Sequence, residues 1–443
     1  MSTKVANSKP SVARIDKKCY NRDESVEELI TTDELLLLLA GIMLLGFVGE
    51  IAFRKKRIPD MLLLLLIGIL IHYSGIIPAV YISILKSFLS FVGIIALILI
   101  VFGGLLRLDL QKYGHSVSKG IWIAVADLAF AIGLMTPLLY YIFHIPLLIS
   151  LLISTVLSET AAPFIIPLLG RIKMNEGIAH SIEVETIFNS VLNVIGALLI
   201  LSIINQQVTF VSLTSFLFGS ISEAIVLGGV IGIVWLIVLK QASAPHYYIA
   251  TIAVLFVIWG VSDYIGASAI LAVFIFSIII ANSLAVSKIV KISGTIDTSQ
   301  LNFFNQEITF IVLTIFYVYI GILVNIFDFK ALLLASVLIA ALVAIRFLEI
   351  FTLNGATKWL GKDTLLVSSF VHRGPTVIVL LGIVLASDPS IFSNYGNTIF
   401  YVVILSILVG SIGFAAITRR YSTSTMTTQT VPADQTATDG KPP

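Results

Sequence analysis

The chain predicts an all-α polytopic membrane protein. Three observations carry this: hydrophobic residues make up 58% of 443 positions, charged residues only 12%, and apolar runs of spanning length recur from residue 33 onward. A soluble domain holds about 25% charged residues. A transmembrane helix needs about 17–25 apolar residues. The net charge of +2 is spread over short loops and implies no nucleic-acid partner. The one cysteine, Cys19, lies in a polar stretch, so a disulfide framework and a thiolate metal site are both excluded.

Residues 1–32 form a polar tail rich in Lys and Asp, without the apolar core of a cleavable signal. The predicted spans then run at 33–53, 59–75, 83–106, 118–143, 147–170, 178–204, 212–239, 246–263, 267–286, 303–325, 330–352, 364–386 and 396–418, thirteen in all. The transmembrane domain is thus expected over 33–418. Residues 419–443, rich in Thr, Gln and Pro, are expected to be a disordered cytoplasmic tail.

Loop charge supports this count. With the N-terminus outside, inner loops hold Arg54, Lys55, Lys56 and Arg57, then Arg107, Lys112 and Lys119, then Arg171 and Lys173, and later Lys240, Lys288, Lys291, Lys358, Lys362, Arg419 and Arg420. The outer loops hold only Lys86 and Lys330. Basic residues favour the cytoplasmic side, so every second loop fits. The basic residues of the N-terminal tail run against that orientation. The chain is expected to lie in the cell membrane.

Thirteen spans divide as six, one and six, which inverts the second half relative to the first. Inverted repeats with broken helices at matching places mark secondary transporters. The fifth span is broken by Glu159-Thr160-Ala161-Ala162-Pro163 and the twelfth by His372-Arg373-Gly374-Pro375-Thr376. Proline removes a backbone donor and clashes with the preceding turn. Two ordinary proline kinks would look similar, but these two also carry charge.

The candidate site residues lie around these breaks. A charged side chain at mid-bilayer costs at least about 2.5–3.5 kcal/mol, so intramembrane carboxylates are functional candidates. Glu159 precedes the first break. Burial disfavours a charged carboxylate, so a proton and a hard monovalent cation can compete for it. Glu185 and Asn189, four apart on the sixth span, share a face, while Glu183 and Ser190 face another way. Arg373 cannot shed its proton, and Glu185 is its expected partner in a structural ion pair. Asp127 in the fourth span and Glu307 in the tenth are possible further members. Glu349 is expected to reach the interface. Gly228 and Gly232 predict close helix packing. Enzyme motifs and clustered histidines are absent from the sequence, and neither an enzyme activity nor a cofactor or bound metal is expected.

Four stretches together resemble a known family. RIPDMLLLLLIGIL opens the second span, IVFGGLLRLDLQ closes the third, EVETIFNS lies in the sixth and HRGPTV in the twelfth. In this order they resemble the sodium/proton antiporters of the cation:proton antiporter superfamily, particularly the thirteen-helix archaeal type related to animal sodium/proton exchangers. The resemblance implies a monovalent cation (sodium or potassium)/proton antiporter working by alternating access, and a homodimer. It places Glu185 on the family's sixth-helix glutamate, Arg373 on its arginine partner, Thr186 on a site-lining serine, Asn189 on an asparagine and Thr160 on the threonine of the fifth-helix break. The family's two aspartates do not carry over: Ala161 and Ser190 stand in their places. Serine does not ionise in the physiological range, so the exchanging carboxylate falls to Glu159 or Glu183. The alternatives are a non-exchanging sensor, regulator or uncoupled pathway on the same scaffold, or a transporter of another solute.

Overall fold

The computed structural model describes residues 37, 40–49, 51, 60–75, 79–108, 113–170, 172, 174–206, 210–241, 246–291, 296 and 298–426. The tail 1–32 with Cys19, residues 427–443, Glu50 and the loop residues Arg54, Lys55, Lys56, Arg57, Lys112, Arg171 and Lys173 lie outside these. Residues up to Gly41 form one unit, of which Leu37, Ala40 and Gly41 are described, all helical; Ile42–Pro443 forms the other, and everything below concerns it.

Among the described residues regular structure is helical throughout. In chain order it comprises α1 (Asp60–Ser74), α2 (Ala79–Leu106), α3 (His115–Pro137), α4 (Leu147–Leu157), α5 (Ala162–Leu169), α6 (Glu176–Gln206), α7 (Phe210–Gln241) and α8 (Tyr247–Ile265). Then come α9 (Ala269–Ala281), α10 (Ser283–Val290), α11 (Thr298–Leu323), α12 (Phe329–Thr357), α13 (Thr364–Ser368), α14 (Pro375–Ser387) and α15 (Pro389–Met426). Pro137 ends the regular part of α3, and a π-helical turn follows over Leu138–Ile142.

Seven described helices are long and apolar enough to cross a membrane, and eight if the bent pair α9 and α10 counts as one. Each of the thirteen predicted stretches contains helix among its described residues. Two stretches differ from expectation. The ninth bends by 83° between Ala281 and Ser283, so its last turns leave the direction of α9. The last helix continues to Met426, so residues 419–426, expected in the disordered tail, extend α15 instead. The Thr- and Ser-containing sequence there lacks the proline or glycine that would end a helix before 426.

Lipid tails are as apolar as leucine, so close packing rather than hydrophobicity joins the helices. The glycines show where this happens. A Cβ on Gly321 of α11 would meet the Leu65 carbonyl oxygen at 2.3 Å, and one on Gly68 of α1 would meet that of Val318 at 2.0 Å. Gly321→Ala is therefore expected to force α1 and α11 apart and lower the melting midpoint; overpacking of this kind typically costs about 1–3 kcal/mol. An unchanged midpoint would mean that this contact is not a fixed part of the fold. Gly228 packs against the backbone of Ala272 and Gly232 against Ile279, so the small-residue pair joins α7 to α9.

The site is framed by α3, α6 and α12, with the two broken stretches α4–α5 and α13–α14 between them. An apolar cluster including Ile123, Ile165, Ile182, Ile350, Phe370 and Phe414 ties five of these elements and α15 together on one side.

Candidate functional site

The two breaks meet. Helix α4 ends at Leu157, and Ala161 is extended (φ −77°, ψ 96°) before α5 begins. Helix α13 ends at Ser368, and Gly374 is extended (φ −120°, ψ −163°) before Pro375 opens α14. Unwound backbone inside a membrane survives only where protein satisfies its polar groups. Here each break satisfies the other. The Ala161 amide donates to the His372 carbonyl at 3.0 Å, the Gly374 amide to the Glu159 carboxylate at 2.8 Å, and the Arg373 guanidinium to the Glu159 carbonyl at 2.7 Å. Flanking helices supply more: the Thr160 amide donates to Asn189 at 3.1 Å and the Arg373 amide to Ser406 at 2.9 Å.

The charges suit this arrangement. A helix presents partial positive charge at its N-terminus and partial negative charge at its C-terminus. The Glu159 carboxylate lies at the N-terminus of α14, and Arg373 binds a carbonyl just beyond the C-terminus of α4. Each charged residue thus answers the helix end of the opposite break.

The crossing is tight enough to require glycine. A Cβ on Gly374 would stand 2.7 Å from the Ala161 Cβ and 3.2 Å from Glu159 Oε1. Gly374→Ala is expected to displace Glu159 and cost stability of order 1–3 kcal/mol, read as a lowered melting midpoint. Wild-type stability with wild-type transport would mean that the two breaks need not touch.

Four buried acids divide between two environments. The Glu159 carboxylate is held by neutral donors: Ser190 Oγ at 3.1 Å, the Gly374 amide, and the Thr376 hydroxyl. The other three surround Arg346. Its Nη2 lies 3.2 Å from Glu185, and its Nη1 lies 3.0 Å from Glu349 and 3.5 Å from Asp127. Thr160 donates to Glu185 at 2.9 Å and Asn189 to Asp127 at 2.7 Å, so Thr160 and Asn189 join the two groups. Asn193 extends the chain, donating to Asn189 Oδ1 at 2.5 Å and accepting from Ser158.

This corrects the expected Glu185–Arg373 pair. Glu185 faces Arg346, because α12 enters the site beside α3 and α6, whereas Arg373 is committed to the backbone of the crossing. Glu349, expected at the interface, is fully buried beside Arg346. Sequence reasoning missed Arg346 altogether. The available signal was the Arg346–Glu349 spacing of three, one helical turn, which places cation and carboxylate together.

Other expected members are distributed as follows. Asp127, Thr160, Asn189 and Ser190 are buried in the site. Thr186 is buried nearby, but its hydroxyl donates to the Glu183 carbonyl in its own helix. Glu183 is half-buried, within electrostatic reach of Arg107. Glu307 is exposed on α11. Metal-binding groups of three or more His, Cys, Asp or Glu do not occur among the described residues under metal-site geometry.

A multi-pass helical membrane protein whose broken helices cross over a buried carboxylate has the architecture of a secondary transporter. The chain belongs to the family described as the transmembrane sodium/hydrogen exchangers, matching it over residues 37–420. Membership makes it a membrane transporter rather than an enzyme. A curated relative, the "Probable Na(+)/H(+) antiporter 2" of Methanocaldococcus jannaschii, is 25% identical over 219 residues, which are 48% of this chain and 51% of that protein. The chain therefore spans about half the length of that relative. Two solved structures of the sodium proton antiporter MjNhaP1 from the same organism are similar in fold. The one determined at pH 8 has a TM-score of 0.73 at 19% identity and covers 86% of this chain and 97% of that one. The one from an electron-microscopy map has a TM-score of 0.69 at 18% identity, covering 92% and 100%.

Proposed function

We propose that the protein exchanges a monovalent cation, sodium or potassium, for protons across the cell membrane by alternating access, with Glu159 as the carboxylate that holds ion and proton in turn. The observation that carries this is the set of donors around Glu159. Its carboxylate is bonded by two hydroxyls and an amide, while the Arg373 guanidinium bonds the Glu159 backbone carbonyl instead. Hydroxyls of Ser190 and Thr376 can donate to a bare carboxylate or turn their lone pairs toward a cation. The unwound carbonyls of the crossing offer further oxygen ligands, as broken helices do in transporters. Asp127, Glu185 and Glu349 are held by Arg346 and are poorly placed to release and recapture an ion. Glu183 and Glu307 lie away from the crossing.

Thr160, Asn189 and Ser190 then line the ion path, while Arg373 and Arg346 hold the scaffold around it. The reading includes thirteen spans as two inverted six-helix halves joined by one helix, a transmembrane domain between polar tails, the N-terminus outside and the C-terminus cytoplasmic. It also includes a homodimer, which cross-linking in membranes would test. The resemblance puts Ser190 where the family has an ion-site aspartate, and Ser190 Oγ is 3.1 Å from Glu159. The carboxylate would thus reach a similar place from the neighbouring broken helix.

The test is cation-driven collapse of an imposed pH gradient in proteoliposomes. Exchange with sodium or potassium supports the reading. A folded protein that shows no cation-dependent signal would be a non-exchanging relative on the same scaffold.

A further inference from the structure

Charge does not balance in the buried region. Asp127, Glu159, Glu185 and Glu349 are each at most 2% exposed, as are Arg346 and Arg373. Arg373 lies within electrostatic reach of Asp127, Glu159, Glu185 and Arg346, and Glu349 within reach of Arg346, Asp127 and Glu185. Four carboxylates against two guanidinium groups leave two negative charges uncompensated, with His372 counted as neutral. Uncompensated buried charge is strongly unfavourable, so positive charge must enter. One unit belongs to Glu159, as cation or proton. The second has no place there, since the three remaining acids surround Arg346.

We propose that the Arg346 cluster is a second proton site, whose carboxyls hold one proton that stays bound while the site at Glu159 exchanges its own. Two geometric facts locate it. Asp127 and Glu349 approach the same nitrogen, Arg346 Nη1, at 3.5 and 3.0 Å, so two buried carboxyls crowd one donor. Two ionised carboxylates so placed repel one another, and a proton on one of them relieves that repulsion. In addition, Glu349 Oε1 and Glu185 Oε2 are buried and without a hydrogen-bond partner. Arg346 Nε and Nη2 are also without one, so the guanidinium as placed does not satisfy these oxygens, and a proton would supply a donor on the carboxyl side. The groups facing it are Arg346 and Glu349 of α12, Asp127 of α3, Glu185 of α6, and Arg373 beyond them, with Thr160 and Asn189 linking it to the crossing.

The inference concerns the resting charge of the cluster and stands whether or not Glu159 exchanges ions, so the two readings fail separately. Infrared difference spectroscopy on the full chain reads the carbonyl stretch of a protonated carboxyl. A Glu159→Gln background removes the contribution of the other site. There the stretch is expected at neutral pH, with a hydrogen/deuterium shift, and should vanish when Glu349→Gln is added. Should that variant fail to fold, adding Asp127→Asn removes the other half of the pair and is expected to abolish the same signal. Absence of the stretch in the Glu159→Gln protein, or its survival in either folded double variant, would overturn the bound proton.

Discussion

Glu159→Gln is expected to abolish cation-dependent collapse of the pH gradient in proteoliposomes while leaving the protein folded. Glutamine keeps an acceptor for the Gly374 amide, which donates at 2.8 Å, and remains compatible with the hydroxyl of Ser190. It removes only the charge that binds a cation and the capacity to carry a proton. The loss should be in transport, with the melting midpoint close to wild type. A second change sharpens the result. Adding Ser190→Asp to Glu159→Gln moves a carboxylate across a 3.1 Å contact, onto the neighbouring helix. Exchange is expected to return, because the charge stays within the same pocket. Wild-type exchange by the Glu159→Gln protein would remove Glu159 from the mechanism. An inert wild type that gains exchange from Ser190→Asp alone would make the scaffold a lapsed antiporter.

The breaks were legible because they are written in residue types that a continuous apolar helix does not use. Glu159 with Pro163, and Arg373 with Gly374 and Pro375, combine charge and helix interruption in spans otherwise built of Leu, Ile and Val. The pairing of Glu185 and Asn189 on one face followed from their spacing of four. What the breaks touch was less accessible. Helix periodicity shows which residues share a face, but it does not say which other helix lies opposite. Arg346 illustrates this. The sequence predicts the eleventh span over 330–352, with Arg346 toward one end, whereas α12 runs from Phe329 to Thr357 and carries it to a buried position against α3 and α6. Thr160 stands in the fifth-span break on the sequence alone, and the resemblance sets it on the family's threonine there; its bond to Glu185 depends on the three-dimensional meeting of the fifth and sixth spans. The bend of 83° after Ala281 falls at Asn282-Ser283, without proline or glycine; the Asn282 side chain donates to the Ile278 carbonyl at 3.0 Å, the competition with backbone bonding that asparagine brings to a helix.

Arg346→Ala is expected to destabilise the protein more than any other single change considered, by about 3–5 kcal/mol, the usual cost of removing one member of a buried ion pair. The reason is the number of partners left behind. Glu185, Glu349 and Asp127 lie 3.2, 3.0 and 3.5 Å from its guanidinium, and all three are buried. Without it they confront one another with only Thr160 and Asn189 as donors. Arg373→Ala instead removes a hydrogen bond to a backbone carbonyl, worth about 1.5–3 kcal/mol, and a more distant field on the acids, since among the described residues its guanidinium makes no carboxylate contact within 4 Å. The melting midpoint in detergent should therefore fall further for Arg346→Ala than for Arg373→Ala. The defect should also shrink as pH is lowered, because added protons remove the buried negative charge that has lost its partner. An order reversed between the two arginines, or a defect that deepens in acid, would return Glu185 to Arg373 and dissolve the cluster around Arg346.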